Sequence, residues 1–453
     1  MSKTVKLKKG LDIRLVGVAN KVKTEAKMPK MVSVKPTDFH GLTPKMLVKE
    51  GEQVKAGSII FQDKYNDPIK YASPVSGKVE AIVRGEKRRI LEIIISVDEE
   101  QKFEAREVMD VASMSNEEVK EIMLSSGLWP FVKQRPLDVV ADPSNEPKAI
   151  FVSAFDSSPL APDFDYVMHG MPKQFQAGLD AIAKLTSGTV HLTLNGNAPA
   201  DVAFKEAKGV QINKISGKHP AGNVGTQIHH IDPVNKGEFV WTINAQDVAI
   251  IGRYFLSGQF NAKRIIALTG SEIKDPHYIE TIIGANVSEI VDSQITSENV
   301  RVISGNVLTG DNIGHDGYLG FYHNQITVIP EGNQLKFVLT KGWMGPGFDK
   351  FSNSRLFPTF LSGNKKFRLD TNTNGEERAF VMTGELEKVF PFDILPMHLA
   401  KAAITNDIDG MENLGIYEVA PEDFALCEYV CTTKINIQDK IRQGLDVIQQ
   451  ECM

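Results

Sequence analysis

The chain is short of cysteine: its 453 residues contain three, Cys427, Cys431 and Cys452, all within the last 27 positions. That count excludes a secreted disulfide framework and a four-cysteine metal site, and it reads as a reducing, cytoplasmic compartment. Long apolar runs are also missing. The stretch Ile90 to Val97 is broken by Glu92 and Ser96, far below the roughly 18–20 residues that span a bilayer. The opening MSKTVKLKKG has charges but no apolar core, so it is not read as a secretory signal. An excess of positive charge is lacking too. Lys plus Arg is 51 against 57 for Asp plus Glu, a formal charge of −6, which argues against nucleic acid as the main partner.

Nucleotide and catalytic motifs are absent as well. No G-x-G-x-x-G occurs; Gly345-Pro346-Gly347 comes nearest, with Lys350 where the third glycine would stand. Nothing matches G-x-x-x-x-G-K-[ST], G-x-S-x-G or H-E-x-x-H. Gly310, Gly314, Gly317 and Gly320 tempt a phosphate reading, but no helix follows to aim its N–H groups, and a flexible or bulged loop is expected. His229 and His230, read as strand neighbours, would point to opposite faces and share no metal.

What is present is ordinary globular texture: 42% hydrophobic and 24% charged residues, with a length that suggests about three domains at about 150 residues each. Residues 1–100 read as short strands between glycine turns. They run through Val48-Lys49-Glu50-Gly51-Glu52-Gln53-Val54-Lys55-Ala56-Gly57 and then Ala72-Ser73-Pro74-Val75-Ser76-Gly77. This resembles the lipoyl or biotinyl carrier fold, a barrel-sandwich hybrid. The hairpin tip falls near Asn66-Asp67-Pro68, where no lysine sits, and Lys64 lies before it. A structural rather than a carrier role is therefore expected.

Further on, Ser115-Asn116-Glu117-Glu118 forms a capping box before Val119, Ile122 and Met123, and Gly127 stops that helix. Strands over 149–154, 189–194 and 210–215 alternate with a helix from Pro172 and a short one near 201–207, predicting an α/β layer. A helix over 244–258 is capped by Asn244 with Asp247 three residues on. Strands are expected at 264–268, 300–304, 325–329 and 335–339, and helices at 393–404 and 438–449.

Longer phrases then carry a resemblance. Lys8-Lys9-Gly10-Leu11-Asp12, Met46-Leu47-Val48-Lys49-Glu50-Gly51, Arg84-Gly85-Glu86-Lys87-Arg88 and His219-Pro220-Ala221-Gly222 stand in the first half. Asp232-Pro233-Val234, Arg301-Val302-Ile303-Ser304-Gly305, Tyr318-Leu319-Gly320 and Tyr322-His323-Asn324-Gln325 follow. Pro346-Gly347-Phe348-Asp349-Lys350-Phe351-Ser352, Asp370-Thr371-Asn372-Thr373-Asn374-Gly375-Glu376 and Phe392-Asp393-Ile394-Leu395-Pro396 close the set. In this order they resemble the NqrA subunits of the bacterial sodium-translocating NADH:quinone oxidoreductases. That family is similar in layout to the RnfC subunit of the Rnf complex and to the flavin subunit of complex I.

The resemblance implies a multidomain α+β chain. A barrel-sandwich hybrid over 1–100 is followed by a Rossmann-like α/β domain over 101–258, a β-grasp, SLBB-like domain over 259–350, and a linker with a helical domain over 351–453. It implies a peripheral component on the cytoplasmic side of the inner membrane, one of six in the NQR complex. Its partners there are the B, D and E membrane subunits together with the C and F subunits. That complex passes electrons from NADH through flavins and iron–sulfur centres to a quinone while exporting sodium.

Against the relatives' redox sites this chain differs. Their glycine-rich flavin loop corresponds to Gly127-Leu128-Trp129-Pro130-Phe131, where Pro130 removes a donor. Their Glu-Cys-Glu-Pro corresponds to Asp156-Ser157-Ser158-Pro159. In the tail, two of four cluster ligand positions fall on Pro421 and Phe424, leaving Cys427 and Cys431, too few thiolates for an iron–sulfur cluster. No cofactor is expected in the chain itself. An interdomain cleft is the expected seat for a quinone, with Trp129 and Phe131 as wall and Ser157 or His229 as donors. Trp129 filling the old flavin site as core is the competing reading. The rival functions are a flavin-binding subunit of an Rnf-like electron-transfer complex and a free-standing carrier.

Overall fold

The computed structural model describes residues 2–452 apart from 109, 335, 338, 343 and 354. In the first hundred residues two small sheets face each other. One runs in the order Met31–Val34, Ile90–Val97, Gly77–Arg84, Gln53–Val54, and the other joins Pro44–Met46, Ile59–Asp63 and Lys70–Ala72. Ile93 and Ile95 point inward onto Val32 and Val79, all fully buried, as two-residue periodicity demands. Gly51 and Gly57 take positive φ of 85° and 93°. Gly77 does not; a Cβ there would overlap the Ser96 carbonyl, so close strand approach is what requires glycine. Lys64 follows the Ile59–Asp63 strand, its N–H held by the Thr43 carbonyl at 2.9 Å.

Two early strands leave this unit. Thr4–Lys6 lies parallel to Gln211–Ser216 at the edge of a seven-stranded sheet, and Asn20–Glu25 lies parallel to His277–Ile282 at the edge of a six-stranded one. The N-terminus thus ties together elements more than 200 residues away in sequence, which no local pattern signals.

The seven-stranded sheet runs in the order Thr4–Lys6, Gln211–Ser216, Thr189–Asn195, Ala149–Ser153, Val240–Asn244, Lys133–Arg135, Val139–Val140. Its first five strands are parallel and its last two antiparallel. The helices Pro172–Ala183 and Ala245–Ser257 cross where Gly178 meets the Val248 carbonyl and Gly252 meets the Gln174 carbonyl, contacts that a Cβ would block. The capping box at Ser115 and Glu118 forms as expected over Asn116–Ser125. Asn244 caps its helix through Gln246, but Asp247 does not assist it, and its carboxylate turns inward to Arg264.

In the six-stranded sheet Lys263–Thr269 and Gln325–Pro330 run parallel at the centre. The strand expected over 335–339 falls partly outside the described residues, and Lys336, Phe337 and Leu339 carry no strand. The tail helices Pro396–Thr405, Ile408–Asn413, Ala425–Val430 and Ile437–Cys452 enclose a core containing Met411, Phe424, Ile441, Leu445 and Ile448. Among the described residues no helix is long and apolar enough to cross a membrane.

Candidate functional site

From Ala149–Ser153 the chain steps outward through Thr189–Asn195 to Gln211–Ser216, then returns to add Val240–Asn244 on the opposite side. The carboxyl ends of Ala149–Ser153 and Val240–Asn244 therefore diverge, and a parallel sheet offers its ligand crevice at such a reversal. Here the crevice is covered by the six-stranded sheet. Gln246 acts as a surrogate strand rung: its side chain donates to the Ile265 carbonyl at 2.8 Å and accepts the Ile265 N–H at 2.9 Å. Gln325 reaches the Pro159 carbonyl at 3.3 Å. The fully buried Arg264 pairs with Asp247 and donates to the His323 carbonyl at 3.2 Å.

The segment after Gly127 forms a buried 3-10 turn over Trp129–Phe131. Gly127 has φ of 74° and lies so close to Ala72 that no side chain fits. Trp129 is 0% exposed; its indole N–H donates to the Ala141 carbonyl at 2.7 Å and its ring meets Trp241 edge-on at 5.3 Å. Phe131 stacks on Phe321 at 4.7 Å, and Tyr322 donates its hydroxyl to the Pro130 carbonyl at 2.7 Å. The turn thus joins the barrel, the parallel sheet and the six-stranded sheet. The nearby cavity, lined by Ser33, Lys35, Asp38, Ala72, Phe260 and Phe321 among others, measures about 10 Å³, room for a water at most. A flavin ring does not fit where Trp129 sits.

Ser157 lies elsewhere. Its hydroxyl accepts the Gly222 N–H at 2.8 Å and lies 3.1 Å from Nδ1 of His219. Asp12 accepts the His219 N–H at 2.9 Å and Leu11 donates to the His219 carbonyl at 2.9 Å, so two of the phrases that carry the family resemblance touch in space. His229 is in a third place. It is on the helix Val224–Ile231, not on a strand; the strand expectation fails because Ile228 and Ile231 pack inward at helical spacing with Phe155 and Val234. His229 accepts the Asp393 N–H on Nε2 at 3.0 Å, which leaves Nδ1 to donate to Glu418 at 2.9 Å, and its ring stacks on Phe392 at 4.8 Å. Trp129 and Phe131 share one turn; Ser157 and His229 join neither that turn nor each other.

Burial pushes the His219 imidazole down to about 4, with its Ser157 contact acting the other way. The folded state holds the ring neutral, so stability is whole above the ordinary value near 6.5 and is lost as pH falls toward 4, where only the unfolded chain has gained the proton. A His219→Gln variant should lack this component. Urea unfolding of both proteins between pH 7 and 4 should show the wild type losing on the order of 3 kcal/mol more than the variant.

Sequence reasoning missed the charged contact between sheet and tail. Arg135, 2% exposed, reaches Asp423 at 3.1 Å, Glu422 at 2.6 Å and Asp138 at 3.5 Å. Burial alone would raise the Asp138 carboxyl, but Lys133 and Arg135 hold it well below its ordinary range. The Asp423 carboxylate lies against Gly225 in the first turn of Val224–Ile231, where any Cβ would overlap it and where the helix dipole favours an anion. Pro421 opens and Phe424 closes the 3-10 turn that presents Asp423. Cys427 and Cys431 are buried in the tail core; Cys431 sits just past the end of Ala425–Val430, with its sulfur 3.0 Å from the Thr433 hydroxyl. Burial raises the Cys427 thiol well above its ordinary value. Two buried thiols beside a proline and a phenylalanine do not fit an iron–sulfur cluster, and no group of three or more metal-ligating side chains occurs among the described residues.

Three family descriptions match: the NqrA N-terminal barrel-sandwich hybrid domain over residues 5–98, the NqrA second alpha/beta domain over 114–260 and the NQRA C-terminal domain over 265–314. The Na(+)-translocating NADH-quinone reductase A-subunit of Neisseria meningitidis (serotype 4A) is 39% identical over 450 residues, covering 99% of this chain and 100% of that one. The chain belongs to the NqrA family. Members from Rhodopirellula baltica, 38% identical over 98% of both chains, and from Marinomonas, 37% identical over 98% of this chain and 99% of that one, match as completely. Two solved structures of an NAD+-reducing nickel–iron hydrogenase align with 42% of this chain and 41% of theirs at a TM-score of 0.32 and 12–13% identity, too loosely to bear on function. The NqrA N-terminal domain description begins at residue 5 and ends at residue 98, yet the strands at 4–6 and 20–25 serve the other two sheets.

Proposed function

We propose that this chain is the peripheral, cofactor-free scaffold subunit of a sodium-translocating NADH:quinone reductase, held by its partner subunits on the cytoplasmic face of the inner membrane. We read the seven-stranded unit as Rossmann-like and the six-stranded unit as a β-grasp, an arrangement shared with RnfC and the flavin subunit of complex I. The observation that carries this reading is the end-to-end match, 39% identity covering 99% of this chain and 100% of the relative. The filled turn at Trp129–Phe131 supports a scaffold role over the flavin-bearing alternative.

Produced together with the other subunits and purified through a tag on this chain, the protein should bring the complex with it. Released from that complex, it should be colourless. Stoichiometric flavin or iron in anaerobically prepared chain would transfer the reading to the flavin-bearing, Rnf-like alternative. A chain that never accompanies the other subunits would end both.

A further inference from the structure

We propose that the exposed apolar side chains among the described residues of 336–366 dock this chain onto another subunit of its complex, one that presents an apolar patch rimmed by carboxylates. The proposal rests on the multi-subunit role inferred above and names where the contact lies. Phe337, Leu339, Met344, Phe348, Leu356 and Leu361 are 56–76% exposed. Six large apolar side chains are thus laid open between positions 337 and 361, a concentration of exposed apolar surface that marks a contact with a partner.

The segment is not simply detached. Its inner side is fixed by Phe367, 2% exposed, packed on Phe351 at 5.4 Å, with Arg14 5.7 Å from the Phe367 ring centroid. Thr359 is buried and donates to the Lys350 carbonyl at 2.6 Å. Part of the segment is thus anchored to the core, while these six apolar side chains are left uncovered by the described residues.

Charge decides the class of occupant. Within 336–368 stand seven cations and a single carboxylate, Asp349, although the chain as a whole carries −6; Lys336 is paired with Asp370 and Arg368 with Glu272, which leaves five cations against that one carboxylate. The surface is therefore locally basic, with aromatic and methionine side chains between the cations, the composition of an interface core with a charged rim. A lipid surface would also attract cations, but a segment that buries apolar side chains in a membrane interface characteristically does so from an amphipathic helix. The described residues of this segment form no helix longer than the 3-10 turn Pro358–Leu361. The segment also lies beyond residue 314, where the last family domain description ends.

The test uses membranes containing the whole complex. Phe337→Ser, Phe348→Ser and Leu361→Ser combined should cut the chain retained by the detergent-solubilised complex at least about tenfold, as loss of central apolar contacts does. The unfolding midpoint of the released variant should match the wild type, since these side chains are exposed. Lys341→Glu with Lys366→Glu should give a similar loss through charge reversal. Retention of both variants at the wild-type level would overturn the proposal. So would wild-type binding to protein-free phosphatidylglycerol vesicles that both variants lose while their place in the solubilised complex is kept, which assigns the face to lipid. If the wild-type chain itself never accompanies the other subunits, the proposed function falls and takes this surface with it.

Discussion

Replacing Trp129 with alanine should destabilise the fold by about 3–5 kcal/mol, the range for truncating a buried large aromatic. The KM for quinone of an assembled complex should be unchanged. Trp129 is 0% exposed and fills the turn that joins three units, so its removal leaves a cavity that all three would have to close. It also strands the Ala141 carbonyl, which now accepts the indole N–H at 2.7 Å; an unpaired buried acceptor costs about 1–3 kcal/mol by itself. The edge-on contact with Trp241 is lost as well. Trp129→Phe keeps an aromatic ring but not the donor, and its cost should be intermediate. Urea unfolding of the two variants against wild type measures the stability, and steady-state kinetics of the complex measures the KM. A raised quinone KM with unchanged stability would instead make Trp129 the wall of a binding pocket.

Much of the helix and strand order was legible, because it is written locally. The capping box at Ser115 and Glu118, the opening Pro172 and the closing Gly258 are short-range signals that the fold obeys. Val224–Ile231 was not legible. It holds a glycine, a valine, a threonine and two histidines, all weak helix formers, and its N-cap Asn223 makes no side-chain bond. Burial of Ile228 and Ile231 and the presence of Asp423 at its first turn supply what propensity does not. The same holds for Asp247, which reads as a helix-start acid and is in fact the buried partner of Arg264. Spacing could signal neither the N-terminal strands in distant sheets nor the separation of Ser157 and His229 from Trp129, since each depends on how whole units dock.

Removing the Arg135 guanidinium should be the most damaging single change at the contact between sheet and tail. Arg135 is 2% exposed and Asp423 has a fully buried side chain. Arg135→Ala therefore leaves a carboxylate facing the first turn of Val224–Ile231 with no cation beside it, and breaking a buried pair from one side costs about 3–5 kcal/mol. Removing both charges is different, because the desolvation penalty goes with the attraction. Arg135→Met alone should cost a similar amount, and Arg135→Met with Asp423→Asn should recover much of that loss, with the asparagine still able to accept the Ala420 N–H that Asp423 accepts at 2.9 Å. A double-mutant cycle by chemical unfolding measures this directly. Strict additivity of the single changes would mean that Arg135 holds the tail through Glu422 instead. Gly225→Ala gives an independent check from the other side of the contact. Its methyl group would overlap the Asp423 carboxylate, so it should loosen the tail in wild type and cost far less once Arg135→Ala has already freed Asp423 to move.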